Sequence, residues 1–124
     1  MTELNDLRRP TSILGLFVIA GGLIHLALYF TRFSSIPTIG ALFVVNAAFS
    51  LAIGALLIRR PGWLWVLAAL GISAGSLGAL VMARVSVLFG YASSTFGPSE
   101  VAVVLVEGGA VVLAASLLLR SLRH

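Results

Sequence analysis

Six polar side chains stand out because they lie within or close to long apolar stretches of the chain. A charged group at the centre of a bilayer costs at least about 2.5 kcal/mol, so such a residue usually has a partner or a function. Carboxylates and imidazoles can bind ions, exchange protons or hold the polar group of a ligand. The sequence therefore predicts a pocket for a ligand or an ion, lined by His25, Tyr29, Asn46, Arg84, Glu100 and Glu107.

The composition indicates which elements must position these side chains. The chain has 124 residues, of which 60% are hydrophobic and only 10% are charged, and its mean hydropathy is +1.12. A soluble domain carries about 25% charged residues, because its surface must be wetted by water. The outer surface of this chain must instead face lipid. Its length suits one domain with four spans of about 20 residues each.

Turn signals divide the chain into four spans. The polar segment 31–35, the Arg59-Arg60-Pro61-Gly62 segment and the glycine- and hydroxyl-rich segment 90–97 separate them. Thr11 and Ser12 are predicted to cap the first helix. The predicted fold is all-α: residues 1–124 form a single polytopic transmembrane domain, with four transmembrane helices in an up-down bundle at about 12–30, 37–58, 63–88 and 98–119.

The arginines predict the orientation in the membrane. Only Arg32 and Arg84 lie at the end of the predicted spans that is away from the termini. The positive-inside rule then puts both termini in the cytoplasm. The six arginines at the cytoplasmic end are Arg8, Arg9, Arg59, Arg60, Arg120 and Arg123.

The polar residues fall in the outer half of the membrane. At a rise of about 1.5 Å per residue, His25 lies roughly 8 Å from the outer end of its span and Glu107 about 13 Å. The spacing of His25, Tyr29 and Arg32 places them on one face of span one, and the spacing of Glu100 and Glu107 places them on one face of span four. If these faces point inward, the pocket opens to the outside.

Each of these residues also has a purely structural interpretation. Arg84 and Glu107 could form an ion pair that neutralises both charges. His25 could be a neutral histidine that hydrogen-bonds to a backbone carbonyl or to Asn46. Glu100 could simply be solvated at the N-terminus of its helix, where the helix dipole favours an acid. Sequence patterns do not decide between these interpretations and the pocket.

Glycines in three spans predict close helix packing. Gly71 and Gly75 form a small-xxx-small pair in span three, and Gly78 lies near the same face. Gly21-Gly22 in span one and Gly108-Gly109 in span four offer similar surfaces. Contact between helices of one chain is the favoured interpretation, and contact between two chains is the alternative.

Several classes of function are disfavoured. The absence of cysteine excludes thiolate metal sites, iron–sulfur clusters and cysteine nucleophiles. The pI near 11.2 does not indicate nucleic-acid binding, because the arginines are scattered and form no basic stripe. A haem with two histidine ligands would need a second membrane histidine besides His25, and His124 is the last residue. A metal site of His25, Glu100 and Glu107 has no spacing motif behind it, so no cofactor is predicted.

Three segments carry a resemblance to known proteins. They are Gly22-Leu-Ile-His25-Leu-Ala-Leu-Tyr29, then Ile36-Pro37-Thr-Ile-Gly40-Ala-Leu-Phe43-Val-Val-Asn46, then Leu88-Phe89-Gly90-Tyr91 followed by Glu100 and Glu107. Together they resemble a family of small four-helix integral membrane proteins that is found mainly in actinobacteria and has no assigned activity. The resemblance covers roughly residues 20–110 and implies a four-span protein of the bacterial plasma membrane. A looser similarity to DoxX-type four-helix proteins rests on architecture alone.

The favoured functional hypothesis is a non-enzymatic accessory or ligand-binding subunit. Its pocket would hold a small polar or quinone-like ligand, or the chain would dock to a larger membrane complex or form a homo-oligomer. The alternative is a small proton-coupled transporter that uses a protonated Glu107. Four-helix multidrug exporters of this size carry their buried glutamate in the first helix, whereas Glu107 is in the fourth. An enzyme is the least supported class, because no phosphate-binding loop, serine–histidine–acid set or CxxC motif occurs.

Overall fold

The computed structural model describes residues 2–85 and 97–122, and it describes side chains over residues 8–82 and 97–122. Within these ranges the chain forms four long helices: α1 (Thr2–Leu28), which continues into a π-helical segment (Tyr29–Phe33), α2 (Ile39–Arg59), α3 (Trp63–Val85) and α4 (Pro98–Leu122). Each is long and apolar enough to cross a membrane, over Arg8–Phe33, Ile39–Arg59, Trp63–Met82 and Pro98–Leu122. The prediction of an all-α chain with four helices of membrane-spanning length is confirmed.

The first helical segment is longer at both ends than predicted. It begins at Thr2, because polarity alone does not end a helix and the leading residues include good helix formers. The hydroxyl of Thr11 donates to the carbonyl of Arg8 at 3.2 Å inside this helix, so the predicted cap at Thr11 is wrong. At the other end, Thr31 donates to the carbonyl of Ala27 at 2.9 Å, and the helix continues to Phe33 instead of breaking at the polar segment. The predicted end of span three at residue 88 lies outside the described residues.

The connection into α2 contains an unusual backbone turn. Thr38 has φ 67° and ψ −55°, and the N–H of Ile39 donates to the carbonyl of Pro37 at 2.7 Å. These values define a γ-turn with a positive φ at its centre, a conformation that is rare and strained for a β-branched residue. Regular helix therefore starts at Ile39, two residues after the predicted start.

Buried apolar side chains fill one half of the bundle, which we call the core half. They come from the first half of the span Arg8–Phe33, from the first half of α3 and from the second halves of α2 and α4. Side chains such as Leu14, Leu57 and Val66 are completely buried there. Tight van der Waals packing of this kind holds membrane helices together, because lipid offers no hydrophobic drive for them to associate. The members of the cluster are Leu14, Val18, Ile53, Leu57, Val66, Ala69, Ala110, Ala114 and Leu117.

Glycines set the closest approach between α1 and α2, the pair of helices with the most extensive packing. A Cβ added to Gly15 would lie 2.7 Å from the carbonyl oxygen of Gly54, and one added to Gly54 would lie 2.8 Å from the carbonyl oxygen of Gly15. The predicted packing role is confirmed for Gly22 and Gly109, where an added Cβ would lie 2.9 Å from Ser50 Cβ and from Phe17 Cε1, respectively.

The glycines of α3 behave differently. A Cβ added to Gly71, Gly75 or Gly78 would meet nothing within 4 Å, and all three residues are exposed. The predicted packing against helices of the same chain is therefore wrong for α3. Gly71 and Gly78 lie on a face that α3 turns away from its own bundle. Gly108 of α4 also has open space beside it.

Candidate functional site

A cavity of about 380 Å³ occupies the other half of the bundle, which we call the cavity half. It is walled by the end of α1, the π-helical segment, the first half of α2, the second half of α3 and the start of α4. α1 and α3 each pack against both α2 and α4, while the backbones of α2 and α4 do not approach each other among the described residues. Most of the wall is apolar, as is usual for small-molecule sites. Its polar members are His25, Arg32, Asn46, Ser76 and Glu100.

The cavity brings together three of the six residues that were predicted to form a pocket. His25, Asn46 and Glu100 line it, whereas Tyr29 and Glu107 are not part of its wall. The side chain of Arg84 lies outside the described residues, and so does its predicted ion pair with Glu107. The role of all six residues in binding stays a prediction.

His25 is held by its own helix. Its Nδ1 atom lies 2.8 Å from the carbonyl oxygen of Gly21. Because a carbonyl can only accept, Nδ1 must carry the hydrogen, and the neutral ring then offers Nε2 as an acceptor. Nδ1 also lies 4.0 Å from Glu107 Oε1, and the ring packs against Phe43 with 5.1 Å between centroids. The structural interpretation of His25 as bonded to a backbone carbonyl is confirmed, and the ring still reaches the cavity wall.

Asn46 is the centre of a hydrogen-bond chain that joins α2 to α3. The Ser50 hydroxyl donates to Asn46 Oδ1 at 3.1 Å, and Asn46 Nδ2 donates to Ser76 Oγ at 2.6 Å. Ser76 in turn donates to the carbonyl of Ile72 at 2.9 Å, so its oxygen is free to accept from the amide. These three bonds fix the orientation of the amide, and one of its two N–H groups is left for another acceptor.

The serines of this chain did not figure among the predicted site residues. Ser50 follows Asn46 by four residues, a spacing that puts both side chains on one helix face and was the only available signal. Ser76 could not be found this way, because its partner is on a different helix.

Arg32 and Glu100 form an ion pair across the cavity half. Arg32 Nη1 donates to Glu100 Oε1 at 3.1 Å, and Glu100 is only 7% exposed while Arg32 is largely open. The structural interpretation of Glu100 as a solvated acid is therefore wrong. Its helix start packs against the end of α1, and the π-helical segment, whose turns hold an extra residue, brings Arg32 to the carboxylate.

The second carboxylate oxygen of Glu100, Oε2, lacks a hydrogen-bond donor among the described residues. The backbone N–H groups of Gly97 and Glu100 face the carboxylate. Even so, Oε2 is buried and has no hydrogen-bond partner in the part of the chain that the structure describes. A buried acceptor without a donor costs about 1–3 kcal/mol, so a hydrogen-bond donor placed at this oxygen would stabilise the site.

Glu107 is buried behind the cavity wall, between α4 and its neighbours. The Ser73 hydroxyl hydrogen-bonds to its carboxylate, and the carboxylate fills the space beside Gly21, where an added Cβ would collide with Oε1. Glu100 and Glu107 do share a face of α4, as predicted, but two helical turns separate them by about 10 Å along the axis. Only Glu100 reaches the cavity.

The arrangement can hold a molecule with an apolar body in a cavity whose wall carries a few polar groups. Those groups are the acceptor atoms of His25 and Glu100, the guanidinium of Arg32 and the amide of Asn46. Among the residues that the structure describes, no three His, Asp or Glu side chains lie close enough together to hold a metal ion. No family model matches the sequence, and no curated protein or solved structure is found to be similar to it.

Proposed function

We propose that this chain is a multi-pass protein of the bacterial plasma membrane that binds a small, largely apolar molecule in its cavity half and performs no reaction on it. The observation that carries the proposal is the cavity of about 380 Å³, whose apolar wall is interrupted by a few polar groups. Sites of this size and composition bind small molecules and use the polar groups to fix their orientation. The resemblance to small actinobacterial membrane proteins supports the location.

The helices of the proposed protein run up and down, with both termini in the cytoplasm. Support comes from the core cluster, which combines the first half of the span Arg8–Phe33 and the first half of α3 with the second halves of α2 and α4. The arginine pairs Arg8-Arg9 and Arg59-Arg60 lie at that same end of their helices. Positively charged residues favour the cytoplasmic side, so the core half faces inward and the cavity half faces outward.

The proposed protein works in contact with lipid and with another membrane protein, either a larger complex or further copies of itself. The open space beside Gly108 of α4 supports this, because a residue without a bulky side chain lets a second helix approach closely.

The alternative, a proton-coupled transporter that uses Glu107, is favoured by the burial of that carboxyl beside His25. It is less well supported, because Glu107 is not in the cavity wall and the core half is closed by apolar side chains. We expect proteoliposomes loaded with a pH-sensitive dye to show no proton flux above empty liposomes. The result should be the same with and without 4-decylphenol, an apolar compound of a size that fits the cavity, which serves as the ligand probe. A flux that Glu107→Gln abolishes would instead establish the transporter.

Filling the cavity tests the proposed function. Val103 is buried and lines the cavity, whereas Val101 on the same helix is exposed and does not. In nanodiscs, a photoreactive decylphenol should label peptides of the cavity wall. We expect Val103→Phe to weaken this labelling about tenfold or more, the scale on which apolar pockets discriminate by size, and Val101→Phe to leave it unchanged.

The control for folding is the thermal unfolding midpoint of each variant in detergent. Equal labelling of the two phenylalanine variants, or labelling spread evenly over the lipid-facing surface, would contradict the proposal.

A further inference from the structure

We propose that the ligand enters the cavity sideways from the bilayer, between α2 and α3, and that it is a lipid-soluble molecule whose head group donates a hydrogen bond, such as a hydroxyl. This inference rests on the proposed function and specifies the route and the chemical class of the ligand.

The cavity reaches the surface between α2 and α3. On α2, Val45 and Phe49 line the cavity although they are 48% and 60% exposed. On α3, Gly75 and Ala79 also line it and are exposed. Residues that are both wall and surface mark an opening, and α2 packs less extensively on α3 than on α1. The four residues are uncharged and lie well inside their helices, so the opening faces the hydrocarbon region.

Gly75 keeps this opening wide. A Cβ added there would meet nothing within 4 Å, so the position has room for a side chain and carries none. Gly71 and Gly78 have the same open space on the same helix but do not line the cavity. These three positions therefore separate the effect of blocking the opening from the effect of adding bulk to α3.

The cavity wall presents hydrogen-bond acceptors that a ligand with a donor group could satisfy. In the neutral ring of His25, Nδ1 donates to Gly21 and Nε2 is an acceptor, for which no partner is found within the described ranges. Glu100 Oε2 is a buried acceptor that likewise has no partner there. A head group that only accepts would leave both atoms unsatisfied. A hydroxyl can donate to the Glu100 carboxylate and accept from the remaining N–H of Asn46.

The head group is tested with two probes of the same shape, 4-decylphenol and its methyl ether. Binding to the full chain in nanodiscs is measured by native mass spectrometry. We expect the ether to bind about tenfold more weakly, as for the loss of one hydrogen bond to a charged acceptor. In Glu100→Gln this preference should shrink, because Arg32 then takes the single amide oxygen and an N–H faces the cavity. Equal binding of the two probes to the unmodified protein overturns the assignment of the head group.

The route is tested by rates. We expect Gly75→Leu to slow the association of decylphenol from the surrounding lipid about tenfold, while Gly71→Leu and Gly78→Leu keep the rate of the unmodified protein. An equal rate in all three variants overturns the lateral route. Failure of both probes to bind the unmodified protein overturns the proposed function itself.

Discussion

Replacing Gly54 by leucine should push α1 away from α2 and cause a large loss of stability. The added Cβ would lie 2.8 Å from the carbonyl oxygen of Gly15 and would also collide with the side chain of Ile19. A backbone carbonyl cannot move aside unless its helix moves. Overpacking of this kind costs about 1–3 kcal/mol when side chains can adjust, so we expect at least the upper end of that range. The free energy of unfolding can be measured by titration with a denaturing detergent.

Gly71→Leu is the matched control for Gly54→Leu. It introduces the same side chain on a helix interior, but no atom lies within 4 Å of the new Cβ. Leucine is also a better helix former than glycine by nearly 1 kcal/mol, so Gly71→Leu should be neutral or slightly stabilising. If the two variants have the same free energy of unfolding, α1 and α2 do not approach each other through Gly15 and Gly54.

Gly21→Ala should be the second large effect, and a change in Glu107 should relieve it. The methyl group of alanine would collide with the Glu107 carboxylate, which is held by the Ser73 hydroxyl. The carboxylate can move aside only by giving up the Ser73 hydrogen bond, so we expect a loss of about 1–2 kcal/mol in the unmodified background. With Glu107→Ala the carboxylate is gone, and the added methyl group fills part of the space that it leaves. The measurement is a double-mutant cycle of unfolding free energies.

The cycle separates a direct contact from two independent defects. Residues in contact show coupling of about 0.5–3 kcal/mol, whereas distant residues add within about 0.5 kcal/mol. Gly108→Ala, which has open space beside it, supplies the control alanine. Additive effects of Gly21→Ala and Glu107→Ala would mean that the carboxylate does not lie against α1.

The number and type of the helices could be predicted from the sequence for a simple physical reason. In lipid every backbone polar group must be bonded within its own segment, so a long apolar stretch becomes a helix. The roles of the glycines could not be predicted in the same way. Gly71 and Gly75 have the spacing of a packing pair and face outward, while the pair in contact, Gly15 and Gly54, lies on two helices and has no local pattern.

The candidate site could also be predicted only in part from the sequence. Helical spacing fixes the direction in which a side chain leaves its helix, and on that basis Glu100 and Glu107 were assigned to one pocket. Spacing does not show which neighbouring helix a side chain meets. Glu107 meets Gly21 and Ser73 behind the wall, while Glu100 meets Arg32 at the cavity. All three partners lie on other helical segments, so only the folded bundle distinguishes the two acids.

The turn at Thr38 has a consequence for how the cavity responds to its contents. A residue held in a sparsely populated backbone region costs about 1–3 kcal/mol, which glycine would largely avoid. Ile39 follows Thr38 directly and is part of the cavity wall, so this part of the wall and the turn must move together. The wall at Ile39 is thus continuous with a turn whose backbone conformation is costly to hold. A ligand that displaces Ile39 also changes the conformation of Thr38, so binding and the strain of this turn are coupled.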